Sequence, residues 1–413
     1  TWNVSGAWNA HEEKFFSNLT SVLSHFTLKA SYSLTADRGP ADVTNSQAII
    51  TSYSPYRPFT SIQESGLYIK ELENSELTYE KKHELNIGAD MGFLNNRINL
   101  AVDWYKRNNY DLIGIVNTQG AGGQILKYAN IASMKSHGIE FTLSTKNIKT
   151  KDFNWNTDFI FSNAKNEVTD LKQNANVMEL ISGNGFAKQG YPVRGLFSIP
   201  FVGLDKDGIP VIINEKGEAT STDINFQERQ NTGFLKYEGP TDPTITGSFG
   251  NIFRYKGFRL NLFITYSFGN VIRLNPVFKA YYSDLTAMTR EFKNRWTLPG
   301  DEAKTNVPAI LSKRMYDSNE DLKYAYNAYN YSTERIAKGD FIRLKEISLA
   351  YDFPKAWINP LKLTDLSLKV QATNLFLIYA DDKLNGQDPE FFNAGGVASP
   401  VPRQFTITLR LGL

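Results

Sequence analysis

Apolar and polar residues alternate over segment after segment of this 413-residue chain, and a period of two places every second side chain on one face of a β-sheet. Trp2, Val4, Gly6 and Trp8 alternate with Thr1, Asn3, Ser5 and Ala7, and Phe26, Leu28, Ala30, Tyr32 and Leu34 with Thr27, Lys29, Ser31 and Ser33. Leu85, Ile87, Ala89, Met91 and Phe93 share the next apolar face, Leu94-Asn95-Asn96-Arg97 reverses the chain, and Ile98, Leu100, Val102 and Trp104 continue it. The opposite face carries Glu84, Asn86, Gly88, Asp90, Asn99 and Asp103. Ile139, Phe141 and Leu143 follow, then Phe153, Trp155, Phe159 and Phe161 across a polar connection from Lys146 to Asp152. The clearest hairpin runs from Ile245 to Tyr255, turns at Lys256-Gly257 and returns from Phe258 to Phe268. Strands are also predicted over Phe341 to Phe353, Leu366 to Phe376 and Arg403 to Leu413. About a dozen strands, joined by short reversals and by long polar excursions, imply an antiparallel sheet.

The lengths of these patterns select the solvent. A soluble sandwich is built from strands of roughly 5–6 residues, whereas many patterns here reach ten or more, the span that a tilted membrane strand needs. No apolar run approaches the ~18 residues of a spanning helix, and a mean hydropathy of −0.37 is compatible with a membrane barrel, because half of each strand faces a polar lumen. Aromatic residues recur near strand ends, at Trp2, Trp8, Trp104, Trp155, Tyr255, Tyr266, Tyr351 and Phe353, where interfacial girdles lie. The connections from 36 to 76, 163 to 194, 214 to 240, 270 to 340 and 378 to 402 are long and polar, and such loops are uncommon in compact soluble domains. One of them contains a predicted helix, Ser283 to Trp296, with Leu285, Met288 and Phe292 at helical spacing. The expected fold is an all-β, antiparallel transmembrane β-barrel with long extracellular loops. A soluble secreted β-protein that binds carbohydrate is the competing fold.

Composition removes several function classes. Lys and Arg number 45 against 43 Asp and Glu, so no overall charge points to nucleic acid. The absence of cysteine excludes disulfides, thiolate metal sites and a cysteine nucleophile. Asp205, Asp207 and Gly208 resemble the start of a calcium loop but lack the later acidic ligand, and read as a turn. His11, His25, His83 and His137 are far apart in sequence with no ligand spacing. Glu12-Glu13, Asp381-Asp382 and the Asp388/Glu390 pair read as solvated loop charges. No nucleophile, base and orienter can be assembled, so no enzyme, cofactor or metal is expected. Asn330-Tyr331-Ser332 matches a glycosylation acceptor without further support. The loop composition suited to a ligand is Tyr324, Tyr326, Asn327, Tyr329 and Tyr331, because flat rings beside amides can stack on and hydrogen bond to a sugar or a peptide. Phe391-Phe392 and Gly395-Gly396 raise the same possibility.

Several separated blocks, in order, resemble the SusC/RagA-type TonB-dependent outer-membrane transporters of Bacteroidetes. They are Leu77-Thr-Tyr-Glu through Asn96-Arg97-Ile-Asn-Leu-Ala-Val-Asp-Trp-Tyr; Asn130-Ile-Ala-Ser-Met-Lys-Ser-His-Gly-Ile-Glu, which departs from the family pattern at Ala132 and Ser136-His137; and Asn294-Arg295-Trp296-Thr297 with Pro299-Gly300-Asp301. Phe341-Ile-Arg-Leu-Lys-Glu-Ile-Ser-Leu-Ala-Tyr with Pro354, then Thr373-Asn374-Leu375-Phe376 and Asp388-Pro389-Glu390, complete the set. Leu413 stands where family members commonly end on an aromatic residue. The resemblance implies that residues 1–413 are the C-terminal portion of a roughly 22-stranded barrel, with the plug domain and N-terminal strands outside this sequence. It further implies import of an oligomeric nutrient, glycan or peptide, in outer-membrane lipid, with a SusD-type surface lipoprotein as partner and TonB acting through the plug. A non-transporting structural, adhesive or secretion-associated barrel is the alternative function.

Overall fold

A computed structural model describes residues 1–39, 47–56, 65–120, 125–282, 288–392 and 402–413. Its main sheet begins with β1 (Trp2–Asn9), β2 (Leu23–Asp37), β3 (Glu80–Phe93) and β4 (Ile98–Asn117). It continues with β5 (Leu126–Lys149), β6 (Phe153–Leu171), β7 (Ile245–Tyr255) and β8 (Phe258–Phe268). β9 (Phe341–Asp352), β10 (Asp365–Ala380) and β11 (Gln404–Gly412) complete it. All pairings are antiparallel and follow chain order, an up-and-down meander with β1 and β11 at its edges.

Register carries the sequence alternation across the sheet. Trp155, Phe253, Leu260, Leu349, Val370 and Ile407 stand in one unbroken row over β6 to β11. Next to it on the other face run Asn156, Ile252, Asn261, Ser348, Gln371 and Thr406. A one-residue slip of any strand would exchange the two faces. The apolar face is bare, with Phe249 40%, Val370 47% and Ile407 74% exposed, a patch far larger than water tolerates but matched to hydrocarbon. Aromatic rings gather at its lower end: Phe258 lies 4.4 Å from Tyr351, Tyr351 4.9 Å from Phe353 and Trp155 5.6 Å from Phe253.

The two ends of the sheet differ. Residues 10–22, 94–97, 150–152, 256–257 and 353–364 connect strands at one end, and 38–79, 118–125, 172–244, 269–340 and 381–403 at the other. Leu94, Asn95 and Asn96 turn with positive φ, as does Lys256, and asparagine takes that conformation at low cost. β7 and β8 have 11 residues each, enough to cross a bilayer, whereas β5 has 24. At ~3.3 Å per residue, β5 is roughly 80 Å long and projects well beyond the membrane at the long-loop end. Strand structure therefore extends further than the sequence pattern indicated: β6 runs to Leu171 and β5 to Lys149, because partner strands supply hydrogen bonds beyond the apolar segment.

The buried core lies outside the sheet, in the connections 172–244 and 269–340. Val177, Leu180, Ile181, Phe197, Ile199, Ile212 and Leu235 pack with Ala328. Ile209 joins Phe278, Leu311, Leu322, Ala325, Tyr326 and Tyr329. Each cluster draws on both connections, so the two fold as one cap. The predicted helix Ser283 to Trp296 is not formed as such: residues 283–287 lie outside the described ones, and the remainder contains a single 3-10 turn, Arg290–Asn294. Trp296 N–H instead donates to Val307 O at 2.9 Å, a strand-like bond that draws the backbone out of the helix. Among the described residues the longest helix of the cap is Leu322–Asn330, which buries Leu322, Ala325, Tyr326 and Tyr329 along one stripe.

Candidate functional site at the mouth and cap

Two buried guanidinium groups hold the cap together. Arg273 donates to Phe197 O at 2.6 Å, Ser198 Oγ at 3.0 Å and Ser332 O at 3.1 Å, tying both connections to one side chain. Burial lowers its pKa to about 9, since an enclosed cation without a close carboxylate loses hydration. Arg335 pairs with Glu291 at 2.5 Å and donates to Asn275 O at 3.2 Å. Trp296, Asp301 and Glu302 act as a second fastener. Trp296 Nε1 donates to Glu302 at 2.9 Å, and Asp301 accepts from Thr297 Oγ1 and Leu298 N at 3.0 Å each. The indole lies on Gly208, where an added Cβ would come within 2.6 Å of the ring. Gly208 belongs to a turn in which Asp205 Oδ1 accepts from Asp207 N and Ile209 N, both at 2.9 Å. The Asp205 carboxylate thus organises backbone.

The Tyr324 to Tyr331 segment divides by helical position. Tyr324 is 39% exposed, whereas Tyr326 and Tyr329 are 1% and 2% exposed. Tyr326 Oη donates to Ala309 O at 2.6 Å, Tyr329 packs edge-on to Phe278 at 5.2 Å, and burial raises both phenol pKa values. Asn327 is half-buried, and Tyr331 is half-buried with the Arg273 guanidinium 5.7 Å from its ring centre. The open face of the helix therefore carries Lys323 and Tyr324, with the Lys323 ammonium 5.3 Å from the Tyr324 ring centre, and half-buried Asn327 beside them. Asn330 is buried and exchanges two hydrogen bonds with the Phe278 backbone, at 2.7 and 3.1 Å. Phe392 packs on a third cluster formed by Ile272, Leu274, Ala337 and Leu384, while Gly395-Gly396 lies outside the described residues.

At the rim, Arg343 of β9 reaches Asp388 at 2.5 Å and Glu390 at 3.3 Å. The Arg343 and Asp388 side chains are 6% and 9% exposed, which corrects the reading of Asp388 as a solvated charge. Arg343 shares the polar face with Thr265, so this pair draws the 381–403 connection toward the mouth. Along the polar wall, Lys29 pairs with Asp90 at 2.7 Å, Asn261 donates to Glu346 at 3.1 Å and Ser144 to Asp158 at 2.6 Å. Arg259, Lys369 and Arg410 line a shallow recess lower on the same wall. Such a surface offers a succession of weak polar contacts to a hydrophilic solute.

Sequence blocks distant in the chain meet in space. Asn130 exchanges hydrogen bonds with the Thr78 backbone at 2.8 Å each way. Tyr105 lies over Gly138, where a Cβ would sit 2.5 Å from its hydroxyl. Arg343 meets Asp388 across 45 residues, and Glu390 as well. Sequence distance also concealed His11 and His25, whose ring centres lie 4.3 Å apart with the planes tilted by 50°. Among the described residues, no group of three or more His, Asp or Glu is placed to hold a metal ion.

No family model matches the chain. A TonB-dependent receptor, P3, of Formosa agariphila is 26% identical over 404 residues, covering 93% of this chain and 37% of the relative. The TonB-dependent receptor SusC of Bacteroides thetaiotaomicron is 26% identical over 433 residues, covering 98% of this chain and 39% of the relative. The RagAB peptide importer in its open-open state superimposes with a TM-score of 0.76 at 23% identity, over 100% of this chain and 42% of that one. The chain thus spans about two fifths of the length of the proteins it matches.

Proposed function

This chain has the barrel fold of the SusC/RagA-type TonB-dependent transporters, and on that premise we propose that it forms wall and outer mouth of an outer-membrane importer. Its cargo is an oligomeric nutrient, a glycan fragment or a peptide. A SusD-type lipoprotein covers the mouth, and TonB supplies energy through a plug carried by the rest of the protein. One observation carries the reading: a sheet with one apolar and one polar face bears a folded, two-connection cap at one end and only short reversals at the other. An apolar outer face suits lipid, a polar inner face makes a path, and a folded cap at the mouth provides a selective surface. Closure with further strands would satisfy the backbone groups on the free edges of β1 and β11.

Within the cap, ligand contact falls to Tyr324 and Asn327, on a helix anchored by Tyr326 and Tyr329, with Tyr331 held over Arg273. One relative is named SusC and one structural neighbour is a peptide importer, which supports an oligomer as cargo and leaves both classes as candidates. The test is uptake of labelled oligomers by cells expressing the full-length protein and its lipoprotein. Import should stop when TonB is deleted or the lipoprotein is removed. Uptake that continues without TonB would overturn energised import, and a barrel that moves no oligomer under any condition would favour the structural alternative.

A further inference from the structure

The upper end of β6 and the connection after it border a half-open cavity of about 120 Å³, many times the ~10–15 Å³ that one water requires. Lys188, Arg229, Asn174, Gln189, Gln230 and Thr232 supply its polar lining, and Leu180 part of its apolar one. Lys188 is half-buried, and among the described residues its ammonium hydrogen bonds to Thr232 alone, at 3.2 Å to Oγ1 and 3.5 Å to the carbonyl. It also lies 5.0 Å from the Phe197 ring centre. Among the described residues, no carboxylate lies within 4 Å of it, and burial lowers its pKa.

The neighbouring acids are engaged elsewhere. Glu228 accepts from Gln230 N at 2.7 Å and Asn231 N at 2.9 Å. Glu179 accepts from Asn176 N at 2.8 Å and stands 3.6 Å from Arg229. The ammonium has three donors, and besides Thr232 it faces the rings of Phe197 and Tyr191, whose centres lie 5.0 and 5.7 Å away. Burial without a carboxylate partner disfavours this cation, and a bound anion would offset that cost.

From this geometry we propose that the cavity binds the oxyanion of an acidic saccharide, a uronate carboxylate or a sulfate ester, against Lys188, with Arg229, whose Nη1 donates to Asn174 O at 2.8 Å and stands 3.6 Å from Glu179, at its edge. The side-chain amides of Asn174, Gln189 and Gln230 both donate and accept, which suits ring hydroxyls that do the same. The inference rests on the import reading and narrows its cargo to acidic glycan.

The test uses the full-length transporter in detergent and titrates D-glucuronate, glucose 6-sulfate, glucose and an Ala-Asp dipeptide by ligand-observed NMR. Saturable binding of glucuronate or glucose 6-sulfate is expected, with glucose at least tenfold weaker, and the two acidic probes separate carboxylate from sulfate. Lys188→Met should weaken the acidic probe at least tenfold and Lys188→Arg should restore most of it. Amide exchange of Val168 and Gly190, which bond across this region, confirms that each variant keeps its fold. Equal binding by Lys188→Met, no saturable binding of either acidic sugar, or preference for the dipeptide would each overturn the assignment. These measurements need neither TonB nor uptake, so binding with no energised import would defeat the import reading alone.

Discussion

Removing the negative partner of Arg343 tests how the 381–403 connection is held at the mouth. In Asp388→Ala the guanidinium, 6% exposed, loses its contact at 2.5 Å and retains Glu390 at 3.3 Å, whose side chain is 40% exposed. Breaking a buried pair by deleting one partner costs about 3–5 kcal/mol. Because Glu390 partly substitutes for the lost charge, the lower end applies, ~3 kcal/mol, which is roughly a 150-fold change in a local opening equilibrium. Native-state hydrogen exchange on the full-length protein reads this through the amides of Leu384, Gln387 and Phe391, which bond to Asp381, Leu384 and Asp388 carbonyls. Their protection should fall by about two orders of magnitude, while the β9 amides paired with β8 and β10 keep theirs. The double variant Arg343→Met/Asp388→Leu should recover much of the protection, because an apolar pair has no stranded charge. Unchanged exchange in Asp388→Ala would refute the argument, and so would a double variant as labile as the single one.

Four further outcomes rest on the packing. Phe249→Arg, in the row Leu143, Phe159, Phe249 and Ile264, should cost about 2–4 kcal/mol when the barrel folds into bilayers, and Thr265→Arg on the opposite face much less; urea titration with heat-modifiable electrophoretic mobility compares them. Gly138→Val places a Cβ 2.5 Å from the Tyr105 hydroxyl and 2.7 Å from Asn163 O, for an expected loss of about 1–3 kcal/mol by the same assay. Tyr326→Ala empties a site in the cap core and should cost about 3–5 kcal/mol, whereas Tyr326→Phe, which loses only the bond to Ala309 O, should cost about 1 kcal/mol. Tyr324→Ala should leave cap stability within about 0.5 kcal/mol and lower ligand uptake; near-ultraviolet circular dichroism and proteolysis of the cap separate the two effects.

Period-two alternation located the strands, their faces and the short turns, though not the full length of β4, β5 and β6, because both faces of a membrane sheet leave a record that needs no knowledge of partners. Leu94 to Arg97 and Lys256-Gly257 were legible for the same local reason: a reversal is specified by the residues within it. The cap was not legible. Its helix at 322–330 resembles a run of ligand-binding tyrosines until Tyr326 and Tyr329 are seen against Phe278 and Ala309, and the helical spacing near 288–292 gives way to a bond between Trp296 and Val307. Arg343 with Asp388, His11 with His25, and Lys188 over its cavity likewise depend on contacts between segments distant in the chain. Periodicity reports what each residue faces along its own strand. Only tertiary structure decides which charges meet across loops, since burial and pairing there are set by the path of the whole chain.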